Sequence, residues 1–98
     1  MAKKLAKPKG WLHSFLVETF PDEEFLVADG FDDAFVGINQ GYGGGQLVYD
    51  RAKCIRILQK NGIKDLEEAE EYFEFNTAGA YVGKLTPVFV EVLKRPKA

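Results

Sequence analysis

Few residues of this chain are of a type and spacing that could do chemistry. The run Gly41-Tyr42-Gly43-Gly44-Gly45 could wrap an anion in backbone N–H groups. No Lys-Ser/Thr pair follows it and the next element reads as a strand, so neither the phosphate-loop nor the dinucleotide fingerprint is met. The run is read as the tip of a hairpin, mobile unless something binds it, with Tyr42 as a ring able to anchor a partner. A small-ligand cradle there is the alternative. His13 is the single histidine, set on the polar side of a helix with no second ligand beside it, so it makes no metal site alone. Cys54 falls in an apolar stripe with no base placed next to it, which reads as core packing rather than a nucleophile. Asp29, Asp32 and Asp33 cluster about Gly30, but Phe31 breaks the alternation a calcium loop needs and the downstream glutamate is missing. No catalytic residue, metal or cofactor is expected, and the chain is read as a non-enzyme.

The polar residues hardest to assign are Asn76 and Thr77, on or beside an otherwise apolar helix face and followed by Ala78-Gly79-Ala80. An amide there can satisfy backbone groups near a helix end. It can also meet a ligand or partner, and the small residues would let another element approach closely. Glu67, Glu70, Glu71 and Glu74 give the same helix a wet acidic side.

The elements that must position these residues follow from local signals. Residues 1–9 alternate lysine with small residues and Pro8, too little apolar surface to order themselves, and read as a flexible basic arm. Trp11, Leu12, Phe15, Leu16 and Phe20 have the spacing of one helical face, stopped by Pro21. Residues 22–28 allow another turn or two of helix. Residues 34–49 read as a hairpin about the glycine run. Asp50 caps a helix over the next residues, and Asn61-Gly62 closes it with Ile63 folding back. Asp65 opens a further helix, with Glu68 completing a capping-box variant and Leu66, Ala69, Tyr72, Phe73, Asn76 and Ala80 facing inward as far as Gly83. Thr86-Pro87 forces extended backbone into a last strand, Val88-Phe89-Val90-Glu91-Val92-Leu93, in which Val88, Val90 and Val92 face the core and Phe89, on the wetter side, marks a second contact surface.

The expected fold is therefore α+β: a single small domain over residues 10–93, in the order helix-hairpin-helix-helix-strand. Its three-stranded, largely antiparallel sheet carries helices on one face, and residues 94–98 form a basic tail. With 98 residues, 46% hydrophobic and 29% charged, one modest core is what the chain can bury. No run reaches the ~20 apolar residues of a membrane span. The single cysteine needs no oxidising compartment, and a cytoplasmic setting is expected. The net charge of −2 conceals an uneven distribution. Lys3, Lys4, Lys7 and Lys9, with Lys94, Arg95 and Lys97, take seven of the 13 basic residues to the termini and leave a body of net charge −9. Such a body attracts basic partners and repels nucleic acid, whereas the tails do the reverse.

Several of these stretches resemble a group of small uncharacterised proteins of bacteriophages and prophages. The motifs are Asp33-Ala34-Phe35-Val36-Gly37-Ile38, Tyr49-Asp50, Glu67-Glu68-Ala69, the segment from Glu71-Tyr72-Phe73-Glu74-Phe75-Asn76 through Ala80-Tyr81-Val82-Gly83, and Thr86-Pro87-Val88-Phe89-Val90. The resemblance covers about residues 30–92. It implies a phage or mobile-element origin and the same fold, and it implies no activity. The functional expectation is an accessory protein that binds a host or phage protein through Tyr42, Glu67, Glu70, Glu71, Glu74, Asn76, Thr77 or Phe89. The alternative is nucleic-acid binding through Lys3, Lys4, Lys7 and Lys9. Self-association through a sheet edge is a further expectation for so few strands.

Overall fold

The computed structural model describes residues 5–6 and 10–96. The described strands are β1 (Leu5–Ala6), β2 (Val27–Ala28), β3 (Phe35–Ile38), β4 (Leu47–Asp50) and β5 (Val88–Val90), and the α-helices are α1 (Gly10–Thr19), α2 (Arg51–Lys60) and α3 (Leu66–Phe73). A 3-10 turn, Asp32–Ala34, leads into β3, and a π-helical turn, Glu74–Ala78, prolongs α3. The class is α+β, as the sequence order implies.

The three-stranded sheet has the order β3-β4-β5 and is mixed. β3 pairs antiparallel with β4, through a register shift between Phe35 and Gly37 that bulges Val36. β4 pairs parallel with β5, because α2 and α3 return the chain to the end at which β4 began. The antiparallel expectation thus holds for one ladder of the two. β1 and β2 form a separate antiparallel pair. The reading of residues 1–9 as a flexible arm otherwise lies outside the described residues.

Alternation along β4 places Leu47 and Tyr49 in the core and Val48 and Asp50 at half-exposure. Tyr49 is opposite Phe35 on one side and Phe89 on the other, so three rings stand abreast on the inner face, with centroids 6.1 and 5.6 Å apart. The row continues through Phe15 of α1 beside Phe35, at 6.4 Å, and Phe73 of α3 against Phe89, at 5.0 Å and nearly perpendicular. Phe31 meets Phe73 edge to face at 6.2 Å. Such edge-to-face pairs add about 0.5–1.5 kcal/mol each beyond the area they bury.

Phe89 therefore points the opposite way from the sequence expectation. It packs on the core, while Val88 and, beyond the strand, Glu91, Val92 and Leu93 are exposed. Alternation gives the two faces of a strand but not which one is wet, and here the aromatic partners decide. The Tyr49 hydroxyl, inside this core, accepts a hydrogen bond from the Ala28 N–H at 3.0 Å. Residues 22–28 are not helical: after a turn at Pro21–Asp22 the chain is irregular, and Val27–Ala28 is a strand paired with β1, with Ala28 bonded to Tyr49.

The starts of α2 and α3 and the end of α2 fall where the sequence signals place them. Asp50 accepts from the Lys53 N–H at 3.2 Å and Asp65 from the Glu68 N–H at 3.0 Å. Beyond α2, the Ile63 N–H reaches the Leu58 carbonyl and the Gly62 N–H the Gln59 carbonyl, the paired bonds of a Schellman ending.

Replacing Tyr49 by Phe keeps the ring row and removes only the acceptor for the buried Ala28 N–H. Urea denaturation is expected to show a loss of about 1–3 kcal/mol, the cost of orphaning one buried donor, with an unchanged m-value.

Candidate binding surface

The glycine run is held by two polar residues that flank it. The Asn39 N–H donates to the Gln46 carbonyl at 2.9 Å, and the Gly45 N–H returns to the Asn39 carbonyl at 2.8 Å. The side chains repeat the pairing: Asn39 Nδ2 donates to Gln46 Oε1 at 2.9 Å, and Asn39 Oδ1 accepts from the Gly41 N–H at 3.0 Å. A Cβ on Gly44 would lie 2.5 Å from the Asn39 carbonyl oxygen, so the loop closes this tightly only with glycine there. The tip expected to be mobile is instead built on an internal frame.

The frame extends to a second loop. Gln46 Nε2 donates both to the Gly43 carbonyl at 2.6 Å and to the Lys84 carbonyl at 2.8 Å. Residues 82–86 are themselves closed by Thr86, whose hydroxyl accepts from the Val82 N–H and donates to the Gly83 carbonyl. The glycine loop that carries Tyr42 is thus tied to the 82–86 loop, which Tyr81 immediately precedes. The side chains of Tyr42 and Tyr81 are almost wholly in solvent, at 106% and 78% exposure.

The other sequence candidates do not gather with Tyr42. Glu67 and Glu71 are exposed on α3 and Glu70 is half-buried. Glu74 is engaged by Arg51, whose Nη2 lies 2.9 Å from Glu74 Oε2 and whose guanidinium carbon stands 5.7 Å from the Phe73 ring centroid. Asn76 is half-buried, and its amide donates to the Tyr72 carbonyl at 3.1 Å, the backbone-satisfying role. Thr77 is buried at 1% exposure, its hydroxyl without a hydrogen-bond partner. The helix does not run to Gly83. It widens into the π turn, and the Gly79 N–H bonds back to the Glu74 carbonyl at 3.0 Å. A Cβ on Gly79 would lie 2.8 Å from that same oxygen. The small-residue patch therefore serves the chain's own wide turn rather than the approach of another element. Lys3, Lys4, Lys7 and Lys9 lie outside the described residues.

Cys54 and His13 stand apart, one in the core and one at the surface. Cys54 is buried, and burial, with the Asp50 carboxylate second, pushes its thiol up to about 12, so a thiolate is strongly disfavoured at neutral pH. His13 is exposed at the rim of a hollow shared with Phe20, Phe25, Glu23 and Glu24. Among the aspartates, Asp33 Oδ1 accepts from the Trp11 indole N–H at 3.2 Å. Asp32 is raised above the usual carboxylate range by partial burial, against a lowering hydrogen bond from the Leu12 N–H. Among the described residues no three metal-ligating side chains come together, and no helix is long and apolar enough to cross a membrane.

Sequence reasoning missed Asn39, Gln46 and Tyr81. The available signal was two amide side chains bracketing a glycine run, a pairing that can close a loop on itself. In comparison with known proteins, no family model, curated protein or solved structure matches the chain.

Two measurements check this description. Gln46→Ala removes all three side-chain hydrogen bonds of Gln46, to Asn39, Gly43 and Lys84, and is expected to speed amide exchange in residues 41–45 and 82–86 together, leaving β3 and β4 amides protected. Stability at alkaline pH tests Cys54. Its ionisation is raised by folding, so its contribution is complete below pH ~9, the unfolded thiol's range, and is lost towards pH 12 at about 1.4 kcal/mol per pH unit. Tyr49, raised by burial in the same sense, adds to the fall above pH ~10. Cys54→Ala is expected to flatten the decline between pH ~9 and ~10, read from urea midpoints at each pH.

Proposed function

We propose that this protein is a non-enzymatic binding module that docks on another protein through the Tyr42 and Tyr81 loops. The observation that carries the reading is the pairing of two solvent-exposed tyrosines with loops fixed by Asn39, Gln46 and Thr86. Tyrosine on a pre-ordered loop offers a large amphipathic contact at small entropic cost. A mobile loop would have to be ordered during binding, at the expense of affinity. The exposed acids Glu67 and Glu71 on α3, away from the tyrosines, favour a partner of basic character by speeding its encounter rather than by tightening the complex.

The motif resemblance supports an accessory role in a bacteriophage or prophage, with a host or phage protein as the partner. The buried free thiol of Cys54 supports a reducing compartment such as the host cytoplasm.

The double variant Tyr42→Ala/Tyr81→Ala changes two exposed side chains, so its unfolding free energy is expected to stay within about 0.5 kcal/mol of the parent. In parallel affinity captures from the native host, the partner retained by the parent is expected to be lost by the double variant. Equal recovery by both would overturn the assignment of this surface.

A further inference from the structure

The acidic body contains one segment of opposite character. Residues 51–64, RAKCIRILQKNGIK, contain five of the six basic residues of the body and no acidic residue. Arg51 is occupied by Glu74. Lys53, Arg56 and Lys60 are exposed, form no ion pair among the described residues, and fall at i, i+3 and i+7 on α2. Three and four residues apart is the spacing of neighbours on one helical face. With half-buried Ile57 they line a hollow of about 280 Å³ beside Asp33, and Asp33 already accepts a bond from Trp11.

We infer that this face of α2 binds the phosphodiester backbone of nucleic acid without reading its sequence. Three cations spread over about 10 Å of helix axis form a line, which suits a row of phosphates better than a single one. α2 cannot enter a major groove as a recognition helix. Its opposite side is packed into the core through Cys54, Ile55 and Leu58, and it lies against α3, whose exposed Glu67, Glu68 and Glu71 would repel the facing strand. Gln59, whose amide is of the type that reads bases, donates instead to the Lys64 carbonyl at 3.0 Å. The contact is therefore confined to the backbone and sequence-independent.

Fluorescence anisotropy with labelled duplex and single-stranded oligonucleotides of mixed sequence tests this. The full chain is compared with Lys53→Gln/Arg56→Gln/Lys60→Gln and with Lys3→Gln/Lys4→Gln/Lys7→Gln/Lys9→Gln. The three α2 side chains are exposed, so an unchanged urea midpoint of that variant confirms its fold.

Neutralising three phosphates contributes about −2.7 to the logarithmic salt slope on duplex and about −2.1 on single strand. Between about 50 and about 200 mM salt this amounts to roughly 40-fold and 20-fold in affinity. The α2 variant is expected to lose that part of the slope on whichever form binds, and the arm variant to keep it. The preferred form identifies whether the ligand is duplex or single strand. The inference is overturned if the full chain does not bind at about 50 mM salt, or if the α2 variant binds with the parent's affinity and slope. It is overturned as well if poly-glutamate displaces the oligonucleotide as effectively as unlabelled DNA at equal charge.

Discussion

The hydrogen bond from the Ala28 N–H to the Tyr49 hydroxyl joins parts of the fold that backbone pairing leaves separate. β1 and β2 form one ladder and β3, β4 and β5 another, and no strand is shared between them. Tyr49 is on the central strand of the larger sheet, fully buried, its ring between Phe35 and Phe89. A phenol there brings a polar atom into the core, tolerable only with a partner. Ala28, equally buried, has the matching need for its N–H. Each group satisfies the other, which fixes where β2 packs and brings the following turn to Phe31 and on to Phe73. Aromatic packing alone would specify an apolar core of about this size; the hydroxyl specifies this arrangement of it.

The connection between the parallel strands sorts the charges of the body. β4 and β5 run the same way, so the chain between them must cross back, and it does so through α2 and α3. α2 is basic and α3 is acidic. Their one ion pair among the described residues, Arg51 with Glu74, links the first turn of α2 to the residue following α3, and Arg51 also covers the Phe73 ring. An isolated exposed pair of this kind is worth little by itself. Its position matters more, because it engages Arg51 and leaves Lys53, Arg56 and Lys60 without an ion pair among the described residues. A net charge of −2 thus describes a strongly bipolar molecule, and the field at a given face follows the nearest helix rather than the sum.

What was legible in the sequence was local. Asp50, Asp65 and Asn61-Gly62 mark helix ends through contacts within a few residues, and each is observed where its signal stands. The hairpin followed from strand-forming residues on both sides of the glycine run. What was not legible depended on distant partners. The wet face of β5 was set by Tyr49 and Phe73, neither of them near Phe89 in sequence. The end of α3 came early because Asn76 takes the Tyr72 carbonyl and the backbone widens about Gly79, a local event without a period that a 3.6-residue pattern could reveal. Extending the inward face to Ala80 assumed a regular helix through that point. Residues 22–28 had helix-compatible composition, but their last two residues pair with β1 and bond to Tyr49, partners distant in sequence.

The direction of β5 has the largest consequence for the proposed binding surface. β4 begins at Leu47, immediately after the glycine loop, and β5, being parallel, begins at the same end. The 82–86 loop that precedes β5 is therefore brought beside the hairpin tip by topology, before any side chain is considered, and Gln46 needs only to reach the Lys84 carbonyl. An antiparallel β5 would have carried that loop to the opposite end, where α2 starts, and Tyr42 would stand alone. The expectation of a largely antiparallel sheet accordingly concealed Tyr81 as well as the sheet's true order. A single ladder direction, imposed by a two-helix crossover, sets the 82–86 loop beside the hairpin tip, where Gln46 ties the two together.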